Sequence, residues 1–222
     1  LIDTAWTIES MGVDAFVVRA AQSGACDLLS RHVQLPVINA GDGMHQHPTQ
    51  ALTDALNIGR AHGRTAGWDL SGLHAVIVGD VVSSRVARSN VGLLRALGAR
   101  VTLCGPPMMC PAGVSALGCE VSHDLDALVD DADVMMMLRI QFERGGGARL
   151  ASQRLYHDCY GLTLGRADRM KDEAIVMHPG PMNRGVEIAG AVADGHRSII
   201  RDQVAGGVLV RKAAIKLALD RG

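Results

Sequence analysis

The sequence has few aromatic residues and few cysteines. Its 222 residues include only two each of Phe, Trp and Tyr, so the core must be built from aliphatic residues and the ten methionines. The five cysteines are scattered, and no two have Cys-x-x-Cys spacing. This pattern argues against a disulfide framework and against a structural zinc site, and it is typical of reduced, cytoplasmic proteins.

Long apolar runs and a strong net charge are also missing. No run approaches the roughly 18 residues that a membrane span needs. The 22 basic and 23 acidic residues nearly cancel, which argues against a broad surface for nucleic acid or anionic membranes but allows a local basic pocket. The absence of GxGxxG, Walker and GxSxG motifs weighs against dinucleotide, ATP and hydrolase sites.

Short aliphatic runs alternate with amphipathic stretches along the chain. Strands are predicted at 14–18, 35–39, 73–78, 101–104, 134–138 and 174–177, and helices at 23–30, 49–61, 85–97, 124–130, 151–160 and 207–219. The polar stretch 62–72 is interpreted as a linker, and the stretch 144–147 (RGGG) as a loop. This alternation predicts an α/β fold with mostly parallel sheets covered on both faces.

Arginines follow three of the predicted strands. Arg19, Arg85 and Arg139 each follow a predicted strand along the chain, and open parallel sheets bind ligands beyond the carboxyl ends of their strands. A planar guanidinium matches a carboxylate or a phosphate. We therefore expect a site for a small ligand that carries several anionic groups.

Arg85 is the most informative of these arginines. With Ser84 as the cap, it falls in the first turn of a helix, where the helix dipole disfavours a cation. A bound anion would explain this placement, whereas the alternative is an ordinary solvated residue.

His47 precedes a helix that begins at Pro48, and Gln50 lies in its first turn. Free N–H groups at this position can hold phosphate, and the dipole favours a neutral imidazole that donates to a carbonyl. The alternatives are a capping histidine or a metal pair formed with His45. No carboxylate or cysteine is spaced to complete a metal set, so we predict no metal site.

Four strings in order resemble the aspartate carbamoyltransferase family. They are residues 39–50 (NAGDGMHQHPTQ), 84–89 (SRVARS), 138–141 (LRIQ) and 178–188 (HPGPMNRGVEI). The resemblance covers essentially the whole chain. It is weaker to ornithine carbamoyltransferases, which typically have HPCQ and HCLP where this chain has HPTQ and HPGP.

The resemblance implies two parallel-sheet α/β domains of the aspartate/ornithine carbamoyltransferase type, the first of them incomplete. It also implies transfer of the carbamoyl group from carbamoyl phosphate to L-aspartate, a step of pyrimidine biosynthesis that needs no metal or organic cofactor. By motif match, carbamoyl phosphate would contact Arg19, His47, Gln50 and the backbone of Gly180 and Pro181, and aspartate would contact Arg85, Arg139 and Gln141. His47 and Arg19 would be the catalytic residues.

Several positions depart from the family pattern. Ala20 and Ala21 replace the usual His-Pro after Arg19, Met44 replaces a small polar residue, and Ser83 replaces a frequent His. In the family, the Ser-Thr-Arg-Thr-Arg phosphate cradle and a loop Lys lie upstream of the position that aligns with the start of this chain. We therefore expect a catalytic chain without its N-terminal part.

The expected organisation follows from that alignment. Residues 1–58 would be half of the carbamoyl-phosphate domain, 59–198 the aspartate domain, and 199–222 a helix that returns to the first domain. A cytoplasmic homotrimer is expected of the complete protein, with a regulatory chain or a dihydroorotase as further partners and no nucleic acid or membrane. The alternatives are a non-catalytic binding or scaffold module and a carbamoyltransferase for another amino acid.

Overall fold

Two parallel β-sheets organise the chain in the computed structural model, which describes residues 1–142, 150 and 152–220. The α/β fold predicted from the sequence is confirmed, and its strands are parallel in both sheets. The stretch 144–147, predicted as a loop, lies outside the described residues.

The first sheet pairs two strands near the start of the chain. The elements of this part are α1 (Ile2–Glu9), β1 (Phe16–Ala20), α2 (Ala25–Ser30), β2 (Val37–Asp42) and α3 (Pro48–Ala61). Phe16, Leu29 and Val33 form a small apolar core between them. Pro48 occupies the start of α3, where the N–H that proline lacks would have no helical partner.

The second sheet has five strands among the described residues, in the order β5-β4-β3-β6-β7. These strands are β3 (His74–Val78), β4 (Arg100–Cys104), β5 (Glu120–Ser122), β6 (Val134–Met137) and β7 (Ile175–Met177), and the helices that accompany them are α4 (Arg85–Ala96), α5 (Gln153–Tyr160), α6 (Leu164–Arg169) and α7 (Gly190–Ala193). Every residue of β3 and β6 is buried. Because apolar cores pack on both faces, these strands read as continuous apolar runs rather than alternating ones.

The strand order creates a crevice at one edge of this sheet. The chain starts at the central strand β3, builds β4 and β5 on one side, and then crosses to build β6 and β7 on the other. The connections that leave β3 and β6 therefore run in opposite directions, and ligands bind at such switch points. Arg85 follows β3 and Arg139 follows β6, so both are placed at the crevice.

The last helix, α8 (Ile200–Leu219), returns to pack against α3. It begins seven residues before the predicted start. The Gly206-Gly207 pair disfavours a helix interior, yet the helix continues through it. A Cβ on Gly206 would lie 2.5 Å from the side-chain nitrogen of Asn57 on α3, so glycine permits the close approach. No helix in the described ranges has the length and apolar character needed to span a bilayer.

The helix predicted at 124–130 is wrong, since this segment forms turns. The Asp124 side chain accepts a hydrogen bond from the N–H of Ala127, while Asp126 and Asp130 pair with Arg166 and Arg169 of α6. A seven-residue helix is marginal alone, and these contacts to another element decide the local conformation instead. The sequence also did not predict α1, α6, α7, β5 or the 3₁₀ turn Ala112–Leu117.

Candidate active site

A cavity of about 240 Å³ lies where the two sheets meet. All eight residues singled out from the sequence line it: Arg19, His47, Gln50, Arg85, Arg139, Gln141, Gly180 and Pro181. Ser84, Val86, Leu138, Pro179 and Arg211 complete the lining. Residues from distant parts of the chain therefore surround one space of a size that suits a small polar ligand.

Each predicted residue reaches the cavity from the end of an element. Arg19 lies in β1, His47 is the N-cap residue of α3, and Arg85 is the first residue of α4. Arg139 comes two residues after β6. Gly180 follows β7 with a φ of 63°, a left-handed turn that glycine adopts without strain.

Arg85 is buried, with 5% of its surface exposed, so the alternative of an ordinary solvated residue is wrong. The Ser84 hydroxyl caps α4 by accepting a hydrogen bond from the N–H of Ala87, as the sequence predicted. Gly41 makes room for the guanidinium, since a Cβ there would lie 2.9 Å from the Arg85 Nε. The backbone carbonyl of Gly43 accepts a hydrogen bond from Arg85 at 3.4 Å.

His47 is held by its backbone, and its side chain makes no capping hydrogen bond to α3. Its N–H donates to the Ser89 hydroxyl at 2.9 Å. Burial, together with the positive charges of Arg85, Arg19 and Arg211, lowers the pKa of His47 to about 4. The imidazole is therefore neutral at physiological pH, as the sequence predicted, and it can donate one hydrogen bond to a ligand oxygen.

Arg211 is a cavity residue that the sequence reasoning missed. It lies on α8, and one of its guanidinium nitrogens is 3.5 Å from the Oε1 of Gln50. Nothing in its local sequence distinguishes it from a surface arginine. Only the return of α8 onto α3 brings it to the site.

His178 begins the segment that carries Gly180 and Pro181, and it is almost fully buried. Its Nδ1 accepts a hydrogen bond from the N–H of Gly180 at 2.9 Å, and its own N–H donates to the Oε1 of Gln203. Burial and the nearby charge of Arg139 lower the pKa of His178 to about 4. The neutral ring thus stabilises the turn that lines the cavity.

His178 should make the protein less stable in mild acid. Its pKa in the folded state lies below the ordinary value near 6.5, so the unfolded chain binds a proton that the folded chain excludes as the pH falls. Between pH 7 and pH 5 this group should lower the free energy of unfolding by about 2 kcal/mol. Over this interval, the free energy of unfolding of His178→Gln should fall by about 2 kcal/mol less than that of wild type. Urea denaturation at both pH values measures this difference.

The control for this measurement is His196→Gln, because His196 is exposed on a turn. Its loss of stability between pH 7 and pH 5 should match that of wild type. An equal loss in wild type and His178→Gln would contradict the assignment of a buried, neutral His178.

His45 stabilises the loop before α3. Its Nδ1 lies 3.0 Å from a carboxylate oxygen of Asp42, which also accepts the N–H of Gly24. Across the described ranges, no group of three or more His, Cys, Asp or Glu side chains is arranged to hold a metal ion. The His45 and His47 pair therefore has no third ligand of these types within the described residues.

The chemistry of the cavity is that of an anion site that also contains the neutral imidazole of His47. Arg19, Arg85, Arg139 and Arg211 supply positive charge, and guanidinium groups bind carboxylates and phosphates in two-point contacts. The carboxamides of Gln50 and Gln141 add both donors and acceptors. Such a lining suits two small anionic substrates held side by side.

Two family descriptions match the chain. Residues 1–60 match the family described as "Aspartate/ornithine carbamoyltransferase, carbamoyl-P binding domain". Residues 71–218 match "Aspartate/ornithine carbamoyltransferase, Asp/Orn binding domain". The residues between the two matches are 61–70. Apart from Ala61, they belong to the stretch 62–72 that the sequence indicated as a linker.

Curated relatives are similar over nearly the whole chain. The aspartate carbamoyltransferase catalytic subunit of Myxococcus xanthus is 52% identical over 98% of this chain and 71% of its own length. That of Parvibaculum lavamentivorans is 52% identical over 100% of this chain and 66% of its own length. The chain thus spans about two thirds of the length of these relatives.

Solved structures show the same fold. Aspartate transcarbamoylase from Trypanosoma cruzi, in complex with carbamoyl phosphate and aspartate, superposes with a TM-score of 0.79 at 26% identity, covering 98% of this chain and 68% of that one. Ornithine carbamoyltransferase from Thermus thermophilus superposes with a TM-score of 0.82 at 22% identity, covering 98% and 70%.

Proposed function

Because the chain belongs to the aspartate/ornithine carbamoyltransferase family, we propose that it transfers the carbamoyl group of carbamoyl phosphate to the amine of L-aspartate. The products are N-carbamoyl-L-aspartate and phosphate, and the reaction is a step of pyrimidine biosynthesis. The observation that carries the proposal is the single cavity that gathers four arginines and the neutral His47. The names of relatives that are 50–52% identical support aspartate as the acceptor.

The two substrates divide between the two sheets. Arg19, His47 and Gln50 come from the part that contains β1, β2 and α3, and they would bind carbamoyl phosphate. Arg85, Arg139 and Gln141 follow strands of the five-stranded sheet, and they would hold the aspartate carboxylates. The backbone of Gly180 and Pro181 would contact the carbamoyl group. The reacting atoms would then meet between the sheets, where positioning contributes to the rate.

His47 would stabilise the charge that develops during the reaction. The aspartate amine attacks the carbamoyl carbon, and negative charge accumulates on the carbonyl oxygen. A neutral imidazole can donate a hydrogen bond to that oxygen, and the nearby arginines strengthen the stabilisation. The amine must also lose a proton, for which the departing phosphate is the acceptor.

We propose that the chain divides into residues 1–58 and 199–222, which bind carbamoyl phosphate, and residues 59–198, which bind aspartate. The packing of α8 on α3 supports the grouping of the first two segments. The family resemblance also implies a homotrimer located in the cytoplasm. Sedimentation analysis can measure the oligomeric state.

A substrate comparison tests the proposed function. Purified protein given carbamoyl phosphate should form product faster with L-aspartate than with L-ornithine, because arginines near the acceptor suit its carboxylates and repel the second ammonium of ornithine. Product is measured by colorimetric detection of the ureido group.

Each other outcome selects an alternative. Faster reaction with ornithine would contradict the roles given to Arg139 and Gln141. Aspartate binding without any turnover would favour a non-catalytic binding module.

A further inference from the structure

A buried carboxylate joins three helices beside the cavity. Asp54 lies on α3 with no exposed surface. Its Oδ1 accepts hydrogen bonds from the Nε2 of Gln50 at 2.8 Å and from the Nε2 of Gln203 at 2.6 Å. Its Oδ2 accepts one from the Nδ2 of Asn90 at 2.7 Å. Gln203 is on α8 and Asn90 on α4, so one side chain ties these helices to α3.

The carboxylate determines which way the Gln50 carboxamide faces. A carboxamide has a donor end and an acceptor end of nearly the same shape, so its environment decides between the two orientations. An ionised carboxylate only accepts, and it therefore requires the nitrogen of Gln50 on its side. The Oε1 of Gln50 is then directed toward the cavity, where Arg211 approaches it at 3.5 Å.

The same argument applies to Gln203. Because its nitrogen donates to Asp54, its oxygen is free to accept the N–H of His178 at 3.1 Å. His178 begins the segment whose Gly180 and Pro181 line the cavity. Asp54 thus orients a cavity side chain directly and a cavity loop through one intermediate.

We propose that Asp54 is a positioning residue that makes the site prefer carbamoyl phosphate over inorganic phosphate. The arginines of the cavity suit any phosphate, since phosphate oxygens are acceptors. Carbamoyl phosphate differs from inorganic phosphate by its carbamoyl group, whose NH₂ must donate a hydrogen bond. The Oε1 of Gln50 is an acceptor placed among the arginine donors. This inference rests on the proposed function for the identity of the ligand, but the orientation of Gln50 can be measured without it.

The ionisation of Asp54 is consistent with this role. Burial raises its pKa to about 6 although the three amide donors lower it, so the carboxylate is an acceptor at neutral pH. An uncharged oxygen acceptor in the same place would orient Gln50 equally well.

Calorimetric titration of the 222-residue protein tests the preference. Asp54→Ala removes the acceptor and lets the Gln50 amide turn over. The affinity for carbamoyl phosphate should then fall about tenfold, the usual contribution of one hydrogen bond to a ligand. Inorganic phosphate should bind within about twofold of wild type. In Asp54→Asn, the new carboxamide oxygen can still accept from both glutamines if Asn90 turns over, so the preference should largely return.

Asn57→Ala is the matched control. Asn57 is one turn along α3 and faces the same helix α8, but its amide donates to the backbone of Thr53 and it lies outside the cavity lining. Its truncation should leave the ratio of the two affinities unchanged. Equal weakening of both ligands by Asp54→Ala, or Asp54→Asn as impaired as Asp54→Ala, would overturn the proposal.

A measurement on wild type alone separates this inference from the proposed function. The side-chain amide protons of Gln50 and Gln203 should exchange with solvent far more slowly than those of the exposed Gln34, as followed by NMR. If Gln50 exchanges as fast as Gln34, the inference fails whatever the ligand. If Gln50 is protected but the protein binds no carbamoyl phosphate, the proposed function and the ligand preference both fail, while the orientation of Gln50 stands.

Discussion

Replacing His47 with alanine should lower kcat by about 10²- to 10³-fold, the usual effect of removing one donor to a developing oxyanion. The reason is geometric and electrostatic. His47 is placed by the start of α3 and by its N–H bond to Ser89. Burial, together with the charges of three arginines, keeps it neutral with a pKa of about 4. The KM for carbamoyl phosphate should change far less than kcat, because the lost contact strengthens only as charge develops.

Two comparisons make the His47 experiment specific. His47→Gln keeps an N–H donor and should retain more activity than His47→Ala. His196→Ala removes an exposed histidine and should behave as wild type. A kcat for His47→Ala within a few-fold of wild type would contradict the assigned role. Between pH 6 and pH 9, ionisation of His47 should add no inflection to the rate, since its pKa lies well below this range.

Replacing Arg139 with glutamine should lower kcat/KM for aspartate by about 100-fold. A guanidinium that holds a carboxylate through charge-assisted hydrogen bonds contributes about 1.5–3 kcal/mol, and glutamine keeps length but loses the charge and the fork. Arg139 lies at the switch point beyond β6, in the part proposed to bind aspartate. The KM for carbamoyl phosphate should stay within about threefold.

Arg154→Gln is the matched control for Arg139. It makes the same change of charge in the same part of the chain, but Arg154 is a surface residue of α5 paired only loosely with Asp158, at 3.9 Å. Its kinetic constants should equal those of wild type. A parallel rise in both KM values for Arg139→Gln would show a general loss of structure instead of a loss of aspartate binding.

Much of the candidate site could be predicted from the sequence because its residues follow local signals. Pro48 marks the start of α3 and places His47 at its N-cap. Ser84 is the N-cap of α4 and places Arg85 in the first turn of that helix. The buried strands β3 and β6 are continuous apolar runs, which predicted a parallel sheet before any contact was known. The rule that ligands bind beyond strand ends then selected the arginines.

The tertiary structure decided the contacts between residues far apart in the chain. Gln203 and Asp54 are 149 positions apart, and only the packing of α8 on α3 brings them together. The same packing brings Arg211 to the cavity, although its local sequence resembles a surface helix. The turns at 124–130 replaced the predicted helix because the arginines of α6 bind their aspartates.

The sequence by itself determined every strand but β5 among the described residues, the starts of α3 and α4, and the type of residue beyond the strand ends, because these depend on neighbours a few positions away. Only the tertiary structure decided which charges share one cavity and which carboxamide oxygen faces it. The physical reason is that burial and orientation depend on atoms from other elements, and the strand order that brings those elements together is not recorded in local periodicity.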